Sequence, residues 1–206
     1  MKKLLYILLF LFSSVAQAQI VPTDAFQKIR LTQGDKTLLA EIKPTGSIPK
    51  VKPGLWYHWY SAGQINTTQG GFSGKPLNGD YKEWYLNKNL KEQGQFERGL
   101  KTGLWKSWRD DGTLAATYTW RNGLRNGNFI VYDEKGLPLT YGNYHNDLLD
   151  GKISNRVTAD SSEVTRYKAG KVVLPKQDSS SFLRRINIFK HKKSRKDSTA
   201  TNKVQS

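Results

Sequence analysis

The sequence predicts an all-β fold: an elongated antiparallel meander of repeated β-hairpins, followed by a disordered basic C-terminal tail. Three observations carry this. Five glycines, Gly54, Gly79, Gly103, Gly127 and Gly151, lie 25, 24, 24 and 24 residues apart. Aromatic pairs three apart follow the first four, as Trp56/Trp59, Tyr81/Trp84, Trp105/Trp108 and Phe129/Tyr132, and a third aromatic (Phe72, Phe96, Trp120 or Tyr144) sits seven residues before the next glycine. Turn residues recur every 10 to 12 residues, which would break helices continually but suits short strands. A fixed period of this length marks a repeat architecture, in which each unit buries its apolar face only by stacking on its neighbours.

Residues 1–18 read as a secretory signal peptide. Lys2 and Lys3 form a positive start, Leu4 to Phe12 an apolar core, and Ala16-Gln17-Ala18 a cleavage site, so the mature chain is expected to begin at Gln19. The apolar core is far shorter than the roughly 18 residues that a membrane span needs, and no later stretch is long or apolar enough. The chain has no cysteine, which removes disulfides, thiolate metal sites and an acylated-cysteine anchor.

Residues 19–53 read as an N-terminal β-hairpin cap, with Phe26 to Leu31 and Thr37 to Lys43 bracketing a turn at Gln33-Gly34-Asp35-Lys36. Residues 54–174 are the repeats, four firm and one divergent, each of two short strands. In the third, Leu104 to Arg109 closes at Asp110-Asp111-Gly112, and Leu114, Ala116, Tyr118 and Trp120 then alternate with small residues, the pattern of a strand with one buried face. Asn122-Gly123 suits a tight hairpin turn, with equivalents at Arg98-Gly99, Asn146-Asp147 and Ala169-Gly170. The second repeat has Lys88 where its siblings carry a turn glycine. The first repeat is one residue longer, and Gly70-Gly71 predicts a β-bulge there. Aromatics three apart cannot share a face of a regular strand; either both faces are partly covered or the strand is bulged between them. The fifth repeat keeps Tyr167 and Gly170 but has Ile153 and Arg156 in place of the aromatic pair.

Residues 175–206 form the predicted tail. Of the net charge of +16, the signal segment holds +2 and residues 176–206 hold +7 (nine Lys/Arg against Asp178 and Asp197), leaving 16 − 2 − 7 = +7 for residues 20–175. A basic surface favours anionic partners such as a membrane or polysaccharide surface, and export disfavours nucleic acid.

The Gly-x-Trp-x-x-Trp/Tyr unit, with its turn glycine and leucine and its later aromatic, resembles MORN repeats in their shorter bacterial variant, over residues 54–174. The resemblance implies hairpins added successively to one antiparallel sheet, and binding or scaffolding, sometimes at membranes, in place of catalysis by the repeats. Bacterial proteins with this variant are often of the YwqK antitoxin or immunity type.

No catalytic constellation stands out. His58, His145 and His191 fall in a strand, a turn and the tail, and Asp110-Asp111 are explained by turn propensity. No cofactor or metal is implied. The candidate binding surface is the aromatic ladder, Trp56, Trp59, Tyr81, Trp84, Trp105, Trp108, Trp120 and Tyr144. It reads chiefly as core, with a ligand platform for sugars or quaternary ammonium groups as the alternative. In the tail, Arg184, Arg185, Lys190, Lys192, Lys193, Arg195 and Lys196 form a candidate anionic-surface site. Helical spacing would put Phe182, Leu183, Ile186 and Phe189 on one side, as in an interfacial helix, whereas a solvated disordered tail is the simpler reading. The function expected is that of a non-catalytic exported protein of the bacterial envelope, in the periplasm or outside the cell, that binds or scaffolds a protein or anionic envelope partner. The alternatives are an antitoxin or immunity protein, and a carbohydrate-binding module using the ladder.

Overall fold

A computed structural model of the chain describes residues 26–43 and 50–174. The signal segment, cap residues 44–49 and the basic tail with its seven candidate residues lie outside the described residues. Among those described, no helix is long and apolar enough to cross a membrane.

The protein is all-β. The strands are β1 (Gln27–Gln33), β2 (Lys36–Ile42), β3 (Trp56–Ser61), β4 (Gln64–Gln69), β5 (Lys75–Tyr85), β6 (Leu90–Glu97) and β7 (Leu100–Trp108). They continue as β8 (Leu114–Arg121), β9 (Leu124–Tyr132), β10 (Pro138–His145), β11 (Leu148–Leu149), β12 (Gly151–Arg156), β13 (Ser162–Lys168) and β14 (Lys171–Val172). From β5 onward each strand pairs antiparallel with the next, and β11 joins β10 beside the main path β10-β12-β13-β14. The tight turns adopt the expected left-handed backbone: φ is 51° at Asn122 and 80° at Gly123, and 49° at Asn146 and 65° at Asp147. Lys88 keeps the turn conformation of its glycine siblings, with φ of 70°, so the turn survives the substitution.

The repeat glycine has a specific geometric role. In β7, Gly103 to Trp105 stand opposite the single residue Gly94 of β6, because Thr102 pairs with Gln95 and Lys106 with Gln93. The same three-against-one step places Gly79 opposite Glu41, and Gly127 opposite Thr119. φ is 114° at Gly79 and 121° at Gly127, which sit at the centre of the step, and 67° at Gly103, which opens it, a region that other residues enter only with strain.

Strand alternation resolves the paired aromatics. Within each pair the strand itself runs on regularly, and the extra residue sits in the partner strand, at Lys91, Ala115 and Leu139. Tyr81 and Trp105 therefore point to one face of the sheet, while Trp84 and Trp108 point to the other. The first face is the core face. Ile29, Leu38, Ala40, Ile42, Leu77, Tyr81, Phe96 and Trp105 form its buried cluster. Trp105 is 2% exposed, its ring lying over Gly94 and its Nε1 donating to the carbonyls of Gln95 and Thr102.

Two expectations are corrected. The first repeat does not take its place in the main path: β2 pairs with β5 along Tyr85 to Leu77, and the β3–β4 hairpin pairs with β5 only at Lys75 and Pro76. The hairpin instead lies over the core face, where Tyr60 and Ile65 pack on the buried cluster and the His58 ring sits 4.7 Å from that of Phe96. The His58 N–H donates to the Gly99 carbonyl at 2.8 Å, fixing the hairpin against the turn between β6 and β7. Second, Gly70-Gly71 is no bulge within a strand. It opens the loop between β4 and β5, with Gly70 N–H bonded to the Leu55 carbonyl.

Candidate functional site

The hairpin covers the core face only as far as β7, and a cleft of about 610 Å³ opens where the cover ends. The hairpin supplies one wall through Trp56, His58 and Thr67. The sheet supplies the floor through Lys101, Tyr118, Trp120 and Arg125, and the turns add Gly123 and Asp147. The wall is built by alternation: Trp56, His58 and Tyr60 share the sheet-facing side of β3, while Tyr57, only 1% exposed, packs on the other side against Phe72.

The predicted ladder divides by environment. Tyr81 and Trp105 are core, 7% and 2% exposed. Trp84 and Trp108 are half-buried on the outer face. Trp59 is half-buried within the hairpin, its Nε1 donating to Thr68. Trp56 is 55% exposed, and Trp120 and Tyr144 are half-buried on the core face. Of the ladder, the structure brings only Trp56 and Trp120 together in the cleft. The repeat glycines all adopt positive φ and none of them lines this cleft.

Charge in the cleft is balanced locally. Lys101 Nζ lies 2.6 Å from Glu92 Oε1 and 3.8 Å from the centroid of Trp105. Arg125 Nε donates to Asp147 Oδ1 at 2.9 Å, as does its backbone N–H, and its guanidinium carbon stands 4.2 Å from the Tyr144 centroid. Both bonds use one carboxylate oxygen and one side-chain nitrogen. Asp147 Oδ2 and the two terminal guanidinium nitrogens therefore have no hydrogen-bond partner among the described residues. Trp120 Nε1 is buried and also lacks one there, a group that buried packing normally satisfies.

His58 accepts or shares a hydrogen bond with Thr67 Oγ1 at 3.0 Å. Burial, then the nearby Lys101 and Lys36 charges, lowers its pKa from 6.5 to about 4. A histidine depressed in the folded state leaves the unfolded state binding more protons between those values, so its contribution is whole above pH 6.5 and is lost as pH falls to about 4. At about 1.4 kcal/mol per unit the loss is roughly 3 kcal/mol. His58→Gln is expected to flatten this part of the stability profile, measured by denaturant unfolding between pH 7 and 4.

A second charged cluster lies away from the cleft. Glu83, 4% exposed, accepts from the Tyr81 hydroxyl at 2.6 Å and pairs with Lys91 and Lys36 at 2.9 and 3.4 Å. Burial alone would raise its pKa, but these partners hold the carboxyl below its ordinary value. Its four groups satisfy one another, so it serves packing. Among the described residues no group of three or more His, Asp or Glu side chains could hold a metal ion.

No protein-family model, curated protein or solved structure matches this chain. The residues that sequence reasoning missed are Lys101, Arg125, Tyr118 and Asp147. From Gly79 onward, where the repeats form the main path of the sheet, the position two before the repeat glycine reads Leu77, Lys101, Arg125 and Leu149. Two successive cations in an otherwise apolar slot of the core face were the signal available.

Proposed function

We propose that the protein is a non-catalytic, exported binding protein of the bacterial envelope. In this reading the cleft receives the partner, and the basic tail attaches the protein to anionic surfaces. The observation that carries it is the open cleft at the hairpin's edge, where Trp56 stands more than half exposed. An exposed indole facing a polar and aromatic floor has no use in folding, whereas a mostly apolar cleft with a few convergent polar groups is the usual form of a binding site. The likeness of the repeats to the MORN variant supports a binding role, and the lysine-started leader ending in Ala16-Gln17-Ala18 supports export.

The test is sedimentation of the chain from Gln19 onward with isolated envelope membranes. Deleting residues 176–206 removes +7 of the mature chain's +14 charge and none of the described strands. It is expected to abolish the binding that weakens as salt rises from about 0.01 to about 1 M, over which the screening length falls from roughly 30 to 3 Å. Trp56→Ala is expected to remove the salt-resistant remainder. If both variants pellet like the parent at every salt concentration, the reading falls.

A further inference from the structure

We infer that the cleft is a subsite for an uncharged pyranose, held between the Trp56 wall and the Tyr118–Trp120 floor, with the Arg125–Asp147 pair reading neighbouring hydroxyls. The inference rests on the cleft being the binding site and names what it takes.

Charge narrows the ligand first. The cations of the cleft are Lys101 and Arg125, and each already has its carboxylate, Glu92 at 2.6 Å and Asp147 at 2.9 Å. An anion entering would meet those carboxylates along with the cations, and so gains little over water. A quaternary ammonium group needs free ring faces. Here Lys101 lies 3.8 and 5.3 Å from the centroids of Trp105 and Trp120, and Arg125 lies 4.2 Å from that of Tyr144. Of the cleft's own rings Trp120 is thus already faced by a cation, and a quaternary ammonium group between Trp56 and Trp120 would meet Lys101 there. An uncharged ligand escapes both penalties.

Shape and hydrogen-bonding capacity narrow it further. About 610 Å³ lies within the roughly 300–1,000 Å³ of small-ligand clefts. Indole and phenol rings present flat apolar faces, which match the C–H faces of a pyranose. The Arg125–Asp147 pair offers unused guanidinium donors beside an unused carboxylate oxygen, a donor and an acceptor held side by side at zero net charge. Adjacent sugar hydroxyls, each both donor and acceptor, satisfy the two together. Thr67 adds a hydroxyl from the opposite wall. An aliphatic ligand would leave these polar groups desolvated and unpaired.

The experiment is tryptophan-fluorescence titration of the full mature chain. The probes are neutral trisaccharides of glucose and of N-acetylglucosamine, a galacturonate trimer, and choline. The expected result is saturable binding of a neutral trisaccharide, changing by less than about twofold between about 0.05 and 1 M salt because no net charge is paired. Trp56→Ala is expected to weaken it by about tenfold or more, a loss of one contact face, and Asp147→Asn to weaken it too. Trp56→Ala should melt like the parent, since that ring is 55% exposed. No saturation by any neutral sugar at tens of millimolar, tighter binding of galacturonate or choline, or unchanged binding by Trp56→Ala would each overturn the inference. If Trp56→Ala still abolishes salt-resistant envelope binding while no sugar binds, the cleft is the site and its ligand is of another class. If neither sugar nor envelope binding depends on Trp56, both readings fall.

Discussion

Trp105→Ala is expected to cost about 3–5 kcal/mol, the range for removing a buried ring of this size. Domain stability is only about 5–15 kcal/mol, so the variant should be largely unfolded or melt far below the parent. Trp105 is 2% exposed and contacts the rings of Tyr81 and Phe96, at 5.7 and 4.9 Å between centroids. Its loss also strips the apolar support from Lys101 and leaves the carbonyls of Gln95 and Thr102 without their indole donor. Trp120→Ala, at a half-buried position, should cost clearly less. Circular dichroism melts of the two variants give the ranking, and equal melting points would contradict the described core.

Gly94→Ala is the second large effect, and it comes from adding one methyl group. A Cβ at Gly94 would fall inside the Trp105 indole, a ring held by two hydrogen bonds from Nε1 and packed against Tyr81 and Phe96. Overpacking of this kind costs about 1–3 kcal/mol, occasionally more, and the upper end is expected here. The sister repeats show why the cost belongs to the pair. Where the slot of Trp105 holds Phe129, the slot of Gly94 holds Tyr118, and the two rings stack 5.9 Å apart at 8°. Where it holds Ile153, the opposing residue is Gly142, again too close for a Cβ. Gly94→Ala should therefore be less costly in a Trp105→Phe background, with a coupling of about 0.5–3 kcal/mol in a double-mutant cycle. Additive losses would show that the ring is free to move.

The 24-residue period and the turn dipeptides made the hairpins legible, because glycine spacing and left-handed turns are local properties. The cap hairpin was legible for the same reason: Gln33-Gly34-Asp35-Lys36 falls where β1 meets β2. The place of the first repeat was not. Its residues carry the same pattern as the others, and only the non-local competition between β2 and β3 for the edge of β5 decides which one pairs there. The paired aromatics were left open between two geometries because the extra residues at Lys91, Ala115 and Leu139 sit on the opposite strand, with no glycine to mark them. The candidate site was hidden for a related reason. Arg125 and Asp147 are 22 residues apart and join a wall from Trp56, a conjunction that exists only once the hairpin has been laid over the sheet.

That displaced hairpin also breaks the equivalence of the repeats. In a uniform array every unit offers the same surface, and adding units multiplies binding positions. Here the wall at Trp56 is anchored to the turn at Gly99, so the cleft sits a fixed number of rungs from the N-terminal end. Duplicating the unit that begins at Gly151 would lengthen the sheet and leave the cleft as it is. Duplicating the unit between Gly79 and Gly103 would keep a Lys101 beside the anchored wall but put a second copy of it where Arg125 stands, sliding the Arg125–Asp147 pair out of the cleft. The described sheet behaves as a ruler with a stop near its start, on which one graduation carries the cleft.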